Sequence, residues 1–241
     1  MAEKRTSLKL TWLLLGLPPV IFLLGIVIAS IYYGFQGQTD PGQISQSVAN
    51  SMSPILLIIQ IVLLALFLWV KRSSNLNWGS IGWKTLPTQR LWKEILIGAV
   101  PGAVLGLLYV FALSPLLTAV QKAVGDYVPA GELLPSLRSG LLAFLAADVL
   151  MAPFVEENIY RGFALTRLSQ RYSQPIAILI SCLFFGLFHW AGGFWYILLV
   201  GGAAGGLFAT LFARRGNIVA PYAAHLALNL VEFVFVLGMM R

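Results

Sequence analysis

Three features of this sequence predict an all-α fold: a polytopic bundle of transmembrane helices with about seven to eight spans. Of 241 residues, 59% are hydrophobic and 10% charged, with a mean hydropathy of +0.84, whereas a soluble domain carries roughly a quarter charged residues. The apolar stretches run unbroken over the roughly 20 residues a helix needs to cross a bilayer; barrel strands would be about ten residues of alternating character. The basic residues gather at the ends of these stretches. The net charge of +7 is therefore a topological bias, and no nucleic-acid partner is expected.

Seven spans are predicted, at about 10–34, 52–70, 95–117, 139–160, 174–191, 194–213 and 217–238. Lys4, Arg5 and Lys9 precede the first apolar run, Leu10 to Phe35. That run exceeds the about 7–15 residues of a signal peptide, so it reads as an uncleaved span. Connection 35–51 is polar and has no Lys or Arg, while 71–94 carries Lys71, Arg72, Lys84, Arg90 and Lys93. Connection 118–138 holds only Lys122 and Arg138; Arg161, Arg167 and Arg171 follow the fourth span, and Arg214 and Arg215 the sixth. Thirteen of the 16 basic residues thus fall on one side, which the positive-inside rule makes the cytoplasm. The expected setting is a bacterial plasma membrane with the N-terminus cytoplasmic and membrane lipid all round.

Residues 1–94 read as N-terminal spans plus an interfacial segment, and 95–241 as the bundle that carries the chemistry, both within one structural domain. Trp78, Trp83 and Trp92 suit a segment lying at headgroup level. Pro18, Pro19 and Pro101 are tolerable inside spans. Gly201, Gly202, Gly205 and Gly206 form small-xxx-small patterns, a signal for close helix packing. The single cysteine, Cys182, excludes an intrachain disulfide framework.

Ionisable residues at membrane depth are costly and by default functional. Glu156 and Glu157 lie inside an apolar run, with Arg161 four residues after the second. The i, i+4 spacing with the acid first favours a Glu157–Arg161 ion pair, a supporting role that leaves Glu156, about 100° away on the helix, free for chemistry. The chain's two histidines are His189, ending the fifth span, and His225, in the seventh and one turn before Asn229. Glu156 and His189 are equally far from the turn at Tyr172-Ser173, roughly 24 Å at 1.5 Å per residue. A uniform helical hairpin would hold them level, and His225 and Asn229 fall near the same layer.

A carboxylate, two imidazoles and a carboxamide converging in one bundle can hydrolyse a peptide bond. Glu156 and His189 hold and deprotonate a water, and His225 and Asn229 donate to the oxyanion. The alternative is a zinc ion held by Glu156, His189 and His225, although no His-Glu-x-x-His run is present. A Cys182–His189 nucleophile pair fails on distance, being about 10.5 Å apart in helical rise. No Gly-x-Ser-x-Gly elbow supports a serine enzyme. A non-catalytic immunity or scaffold protein of the same fold has no need of four convergent polar groups. A transporter using Glu156 as proton relay would show paired broken helices or an inverted repeat.

Glu156-Glu157-x-x-x-Arg161, Phe185-x-x-x-His189 and His225-x-x-x-Asn229, in that order, resemble the motifs of the CAAX-protease and bacteriocin-processing (CPBP, "abortive infection") family of intramembrane proteases. Arg161-Gly162 and the run Arg215 to Pro221 agree with it. The resemblance covers about 139–232 and implies a helical bundle whose site opens toward the cytoplasm. It also implies water activation by Glu156 and His189, with His225 and Asn229 at the oxyanion. Family members are described both as metalloproteases and as glutamate proteases. Eukaryotic relatives cleave prenylated CAAX proteins, and bacterial ones act in bacteriocin immunity, peptide maturation or protein sorting, so a peptide or lipidated protein is the implied substrate. Asn158 departs from the pattern, standing where an aliphatic residue is expected.

Overall fold

The computed structural model describes residues 8–129 and 140–239. Lys4, Arg5, Arg138 and the predicted start of the fourth span at 139 lie outside the described residues. Helix α1 covers Leu8–Phe35, α2 Pro41–Asn50 and α3 Met52–Ser73. Helix α4 runs Thr88–Val124, α5 141–168, α6 Gln174–Phe188, α7 Phe194–Arg215 and α8 Val219–Met239. No strand occurs among the described residues. Five helices (α1, α3, α4, α7 and α8) are long and apolar enough to cross a membrane, so the chain is an integral multi-pass membrane protein. Helix α6 is apolar but shorter, and α5 carries Asp148, Glu156, Glu157 and Arg161 along its length.

A helix stands at each of the seven expected spans, and five of the seven are long and apolar enough to cross a membrane. The polar connection 35–51 differs, because it folds as α2. Asp40 caps it by accepting the Gln43 N–H at 2.8 Å, and Pro41 opens its first turn, as suits both residue types.

The central helix is α5, which packs against α1, α3, α6, α7 and α8. Val155, Ile159, Tyr160, Phe163 and Ala164 are fully buried, and one core cluster joins them to Leu14 and Phe22 of α1, Ile59 and Phe67 of α3, and Phe208 and Leu228 of α7 and α8. The N-terminal helices therefore share the core of the motif-bearing part.

The tightest helix contact is between α4 and α8. Gly98, Gly102 and Gly106 recur every four residues along one face of α4, and a Cβ on Gly98 would stand 1.9 Å from the Ala220 carbonyl oxygen, one on Gly102 2.1 Å from that of Ala224. Only glycine admits such an approach of backbones. Of the glycine set expected on α7, Gly201 and Gly205 do pack closely, against Cys182, Phe185 and Gly186, whereas Gly202 and Gly206 face open space.

Four stretches hydrogen-bond in the wider i→i+5 pattern: Tyr109–Leu113, Leu145–Met151, Glu157–Leu165 and Val200–Gly205. Such turns are rare and frequent at functional sites. They correct the expectation of a uniform α-helical hairpin, because heights and directions along α5 no longer follow 1.5 Å and 100° per residue.

The interfacial segment before α4 dips into the bundle. Ile81 is fully buried, the Gly82 carbonyl accepts from Ile218 N–H at 3.0 Å, and Trp83 Nε1 donates to Asn158 Oδ1 at 2.8 Å. Asn158, the departure from the family pattern, thus anchors this segment, while its Nδ2 donates to the Phe154 carbonyl at 2.7 Å. At the same end Arg215 of α7 makes a two-pronged ion pair with Glu94 of α4, at 2.9 and 2.6 Å.

Candidate active site

Glu156, His189, His225 and Asn229 line one cavity of about 90 Å³. That volume holds several waters, each needing roughly 10–15 Å³. The helices supply its walls at regular spacing: Leu105, Tyr109 and Leu113 from α4; Asp148, Ala152 and Glu156 from α5; His225, Asn229 and Glu232 from α8. Steps of four, or of four and three, keep each set on one helix face. Three of the four wide-turn stretches contribute wall residues (Tyr109, Asp148 and Val200 among them), and the fourth begins immediately after Glu156.

Glu156 is 2% exposed; its Oε1 accepts a hydrogen bond from Gln60 Nε2 at 3.0 Å, and its Oε2 is buried without a partner. Gln60 belongs to α3, outside all three motifs. Its signal was a lone carboxamide in the middle of an apolar span, the kind of residue kept at membrane depth for a reason.

His189 and His225 are both held through Nδ1. The His189 Nδ1 lies 2.8 Å from the Phe185 carbonyl, and the His225 Nδ1 3.0 Å from Glu157 Oε1. Both partners are acceptors, so each Nδ1 carries the proton, and in its neutral form each ring presents an unprotonated Nε2. Phe208 stacks on His225 at 4.6 Å between ring centroids, which fixes the ring plane. His189 sits where α6 ends. The following turn is clamped by the end of α4: Gln121 Nε2 donates to the Gly192 carbonyl at 3.1 Å, and Asp126 accepts the N–H groups of Phe194 and Trp195 at 2.8 and 3.4 Å. The Tyr127 hydroxyl donates to the Trp190 carbonyl.

Glu157 does pair with Arg161, at 3.0 Å with both side chains fully buried. It also does more than expected, since the same Oε1 accepts from His225. Arg161 NH2 donates to the Gly205 carbonyl at 3.2 Å, and the guanidinium lies 4.2 Å over the Phe185 ring. Asn229 Nδ2 donates to the Asp148 carbonyl at 2.7 Å, so one of its two N–H groups already ties α8 to α5.

Among the described residues no three His, Cys, Asp or Glu side chains stand close enough to hold a metal ion. The held Nδ1 atoms would suit metal-binding histidines, but Glu156, His189 and His225 as arranged do not fit a zinc ion.

The cavity reaches from mid-bundle toward the end away from the basic loops. Tyr196 lies two residues into α7 and His189 at the last turn of α6, both at the end opposite Arg215 and Lys71. Two expectations from the sequence therefore conflict. If the basic loops are cytoplasmic, the cavity extends from mid-bundle toward the other side and not toward the cytoplasm, the direction that the resemblance implies.

Residues 138–231 match the family model described as type II CAAX prenyl endopeptidase, Rce1-like. This segment is similar to the CAAX-protease family. The match starts just before α5 and ends within α8, so the matched segment contains all three motifs and the cavity wall from α5 to α8 up to Asn229, while Glu232, the α4 wall and Gln60 lie outside. No curated protein and no solved structure gave a significant match.

Proposed function

We propose that the protein is an intramembrane endopeptidase that hydrolyses a peptide bond of a membrane-associated peptide or lipidated protein with a water activated by Glu156 and His189. The observation that carries this reading is the shared cavity, in which Glu156 keeps one buried oxygen without a partner. A water there accepts a place between Glu156 Oε2 and His189 Nε2. Glu156 takes its proton as the water oxygen attacks the scissile carbonyl, and returns it to the leaving amine as the C–N bond breaks.

The carbonyl oxygen gains negative charge in that step, and Asn229 and His225 are the donors proposed for it. Asn229 has a second N–H beyond the one given to Asp148. His225 donates through Nε2 only as the imidazolium, a cation that the Glu157 carboxylate 3.0 Å from Nδ1 stabilises. Glu157 and Arg161 are positioning residues in this scheme. The proposed setting is a bacterial plasma membrane with a cytoplasmic N-terminus.

The test is hydrolysis by purified protein reconstituted in lipid vesicles, using farnesylated and unmodified peptides in ¹⁸O water. The expected result is label in the new carboxylate and its loss in Glu156→Gln. Full turnover in that variant would overturn the mechanism.

A further inference from the structure

The cavity contains two acids that none of the three motifs includes. Asp148 stands two turns before Glu156 on α5, and Glu232 three residues after Asn229 on α8; both line the cavity with Glu156. No lysine or arginine among the described residues lines it. Among the described residues neither Asp148 nor Glu232 has an ion-pair partner, while Arg161 is committed to Glu157 and the Gly205 carbonyl. Glu156 adds a buried, unpartnered Oε2 in the same space. Carboxylates at membrane depth normally face a charge of opposite sign, and here the described residues provide none.

We infer that Asp148 and Glu232 form a cation-binding subsite that receives a positively charged group of the substrate, a lysine or arginine side chain or a terminal ammonium, beside the scissile bond. The inference rests on the endopeptidase reading. Its geometry is favourable: α5 and α8 bring the two acids to the same wall pair as Glu156 and Asn229, joined by the bond from Asn229 Nδ2 to the Asp148 carbonyl. At about 90 Å³ the cavity suits one side chain rather than a folded segment. Bound there, the cation replaces the missing counter-charge and discriminates against neutral or acidic peptides, which would leave the acids unpaired. Tyr109 and Tyr196, also in the wall, add aromatic surface that suits an ammonium or guanidinium.

Peptide binding and cleavage should be measured separately in vesicles. In the Glu156→Gln background, which holds peptide uncleaved, affinities are compared for acetylated peptides that differ only in lysine against norleucine, and for free against acetylated N-termini. The lysine arm or the free-amine arm should bind about tenfold or more tightly than its neutral partner, an increment of the size one retained charge interaction gives. Adding Glu232→Gln should cut that ratio severalfold, and adding Asp148→Asn should bring it close to one. Equal binding of charged and neutral peptides, or a ratio untouched by both substitutions in protein of unchanged thermal stability, overturns the subsite. If the double variant does not fold, Glu232→Gln alone decides by the same criterion. Cleavage without charge preference would sink the subsite and leave the peptidase standing; charge-selective binding with no cleavage of any peptide by the unmutated protein would do the reverse.

Discussion

Glu156 and Glu157 are neighbours in the chain, yet they belong to two regions built on opposite plans. Around Glu157 the partners are charged or polar hydrogen donors: Arg161 and His225 both donate to its Oε1, and two phenylalanine rings flank the guanidinium, while its Oε2 and the Arg161 Nε are left without a partner. Around Glu156 the protein stops short, with a single carboxamide on one oxygen, nothing on the other, and a cavity beyond. The comparison teaches that burial alone does not mark a reactive acid. Both are nearly or fully buried and both keep one oxygen without a partner; they differ in that Glu157 faces a counter-charge while Glu156 has a neutral carboxamide and lines the cavity. Where the counter-charge is supplied, the acid holds the structure together, and where it is withheld beside a cavity, room is left for water or substrate.

The hardest test of this contrast is Glu156→Gln. Hydrolysis should fall at least about a thousandfold, the scale of losing a positioned general base, while the melting temperature in detergent stays within a few degrees. Substantial remaining activity would erase the distinction. Glu157→Gln comes next. Removing one partner of a buried pair costs about 3–5 kcal/mol because the other charge is left uncompensated, so the melting temperature should drop clearly. Activity should also fall, through His225, but by less than for Glu156→Gln. Arg161→Met in the same background should recover part of the stability, as replacement of a whole buried pair often does. A fully stable but inactive Glu157→Gln would reverse the division of labour.

Gln60→Leu probes the one side-chain hydrogen bond that Glu156 receives among the described residues. It should lower activity about tenfold by letting the carboxylate turn, with a stability cost of about 1–3 kcal/mol for the unpartnered oxygen. Initial rates and thermal melts of one preparation decide it; no change in rate would mean that Glu156 is held by its own helix.

The smallest effect belongs to Asp126, which holds the turn carrying His189. Desolvation pushes its carboxyl up, but hydrogen bonds from Phe194 N–H, Gln121, Tyr127 N–H and Trp195 N–H outweigh that and hold it below the ordinary carboxylate range. A lowered folded value means stability that is present above the unfolded pKa of about 3.9 and lost as pH falls through the folded value. The melting temperature of the wild type should therefore exceed that of Asp126→Asn near neutral pH, and the gap should close on acidification below about pH 4. A gap independent of pH would show that shape, not charge, matters there.

The membrane side from which substrate enters is open to a direct test as well. Charge bias and family resemblance put the cavity on opposite sides, so labelling of single cysteines at positions 38 and 170 with an impermeant reagent separates them. Labelling at 38 in intact cells supports the charge bias, and labelling at 170 supports the cytoplasmic opening.

The sequence by itself determined the class of molecule and the members of the site. Unbroken apolar runs require helices in a membrane, since only a helix satisfies its own backbone there, and the scarcity of polar residues in those runs made Glu156, His189, His225 and Asn229 conspicuous. The i, i+4, i+7 spacing of His225, Asn229 and Glu232 was equally legible, as was the one carboxamide of α3. Their joint meaning was not, because a spacing says which residues share a face and not which faces meet. Only the tertiary structure decided that Gln60 reaches Glu156 from 96 residues away, that Glu157 serves His225 as well as Arg161, and that Asp148 and Glu232 enter the same cavity. The physical reason lies in packing: the glycine face of α4 lets α8 approach backbone to backbone, and the wide turns rotate side chains away from the directions that a regular helix would give them.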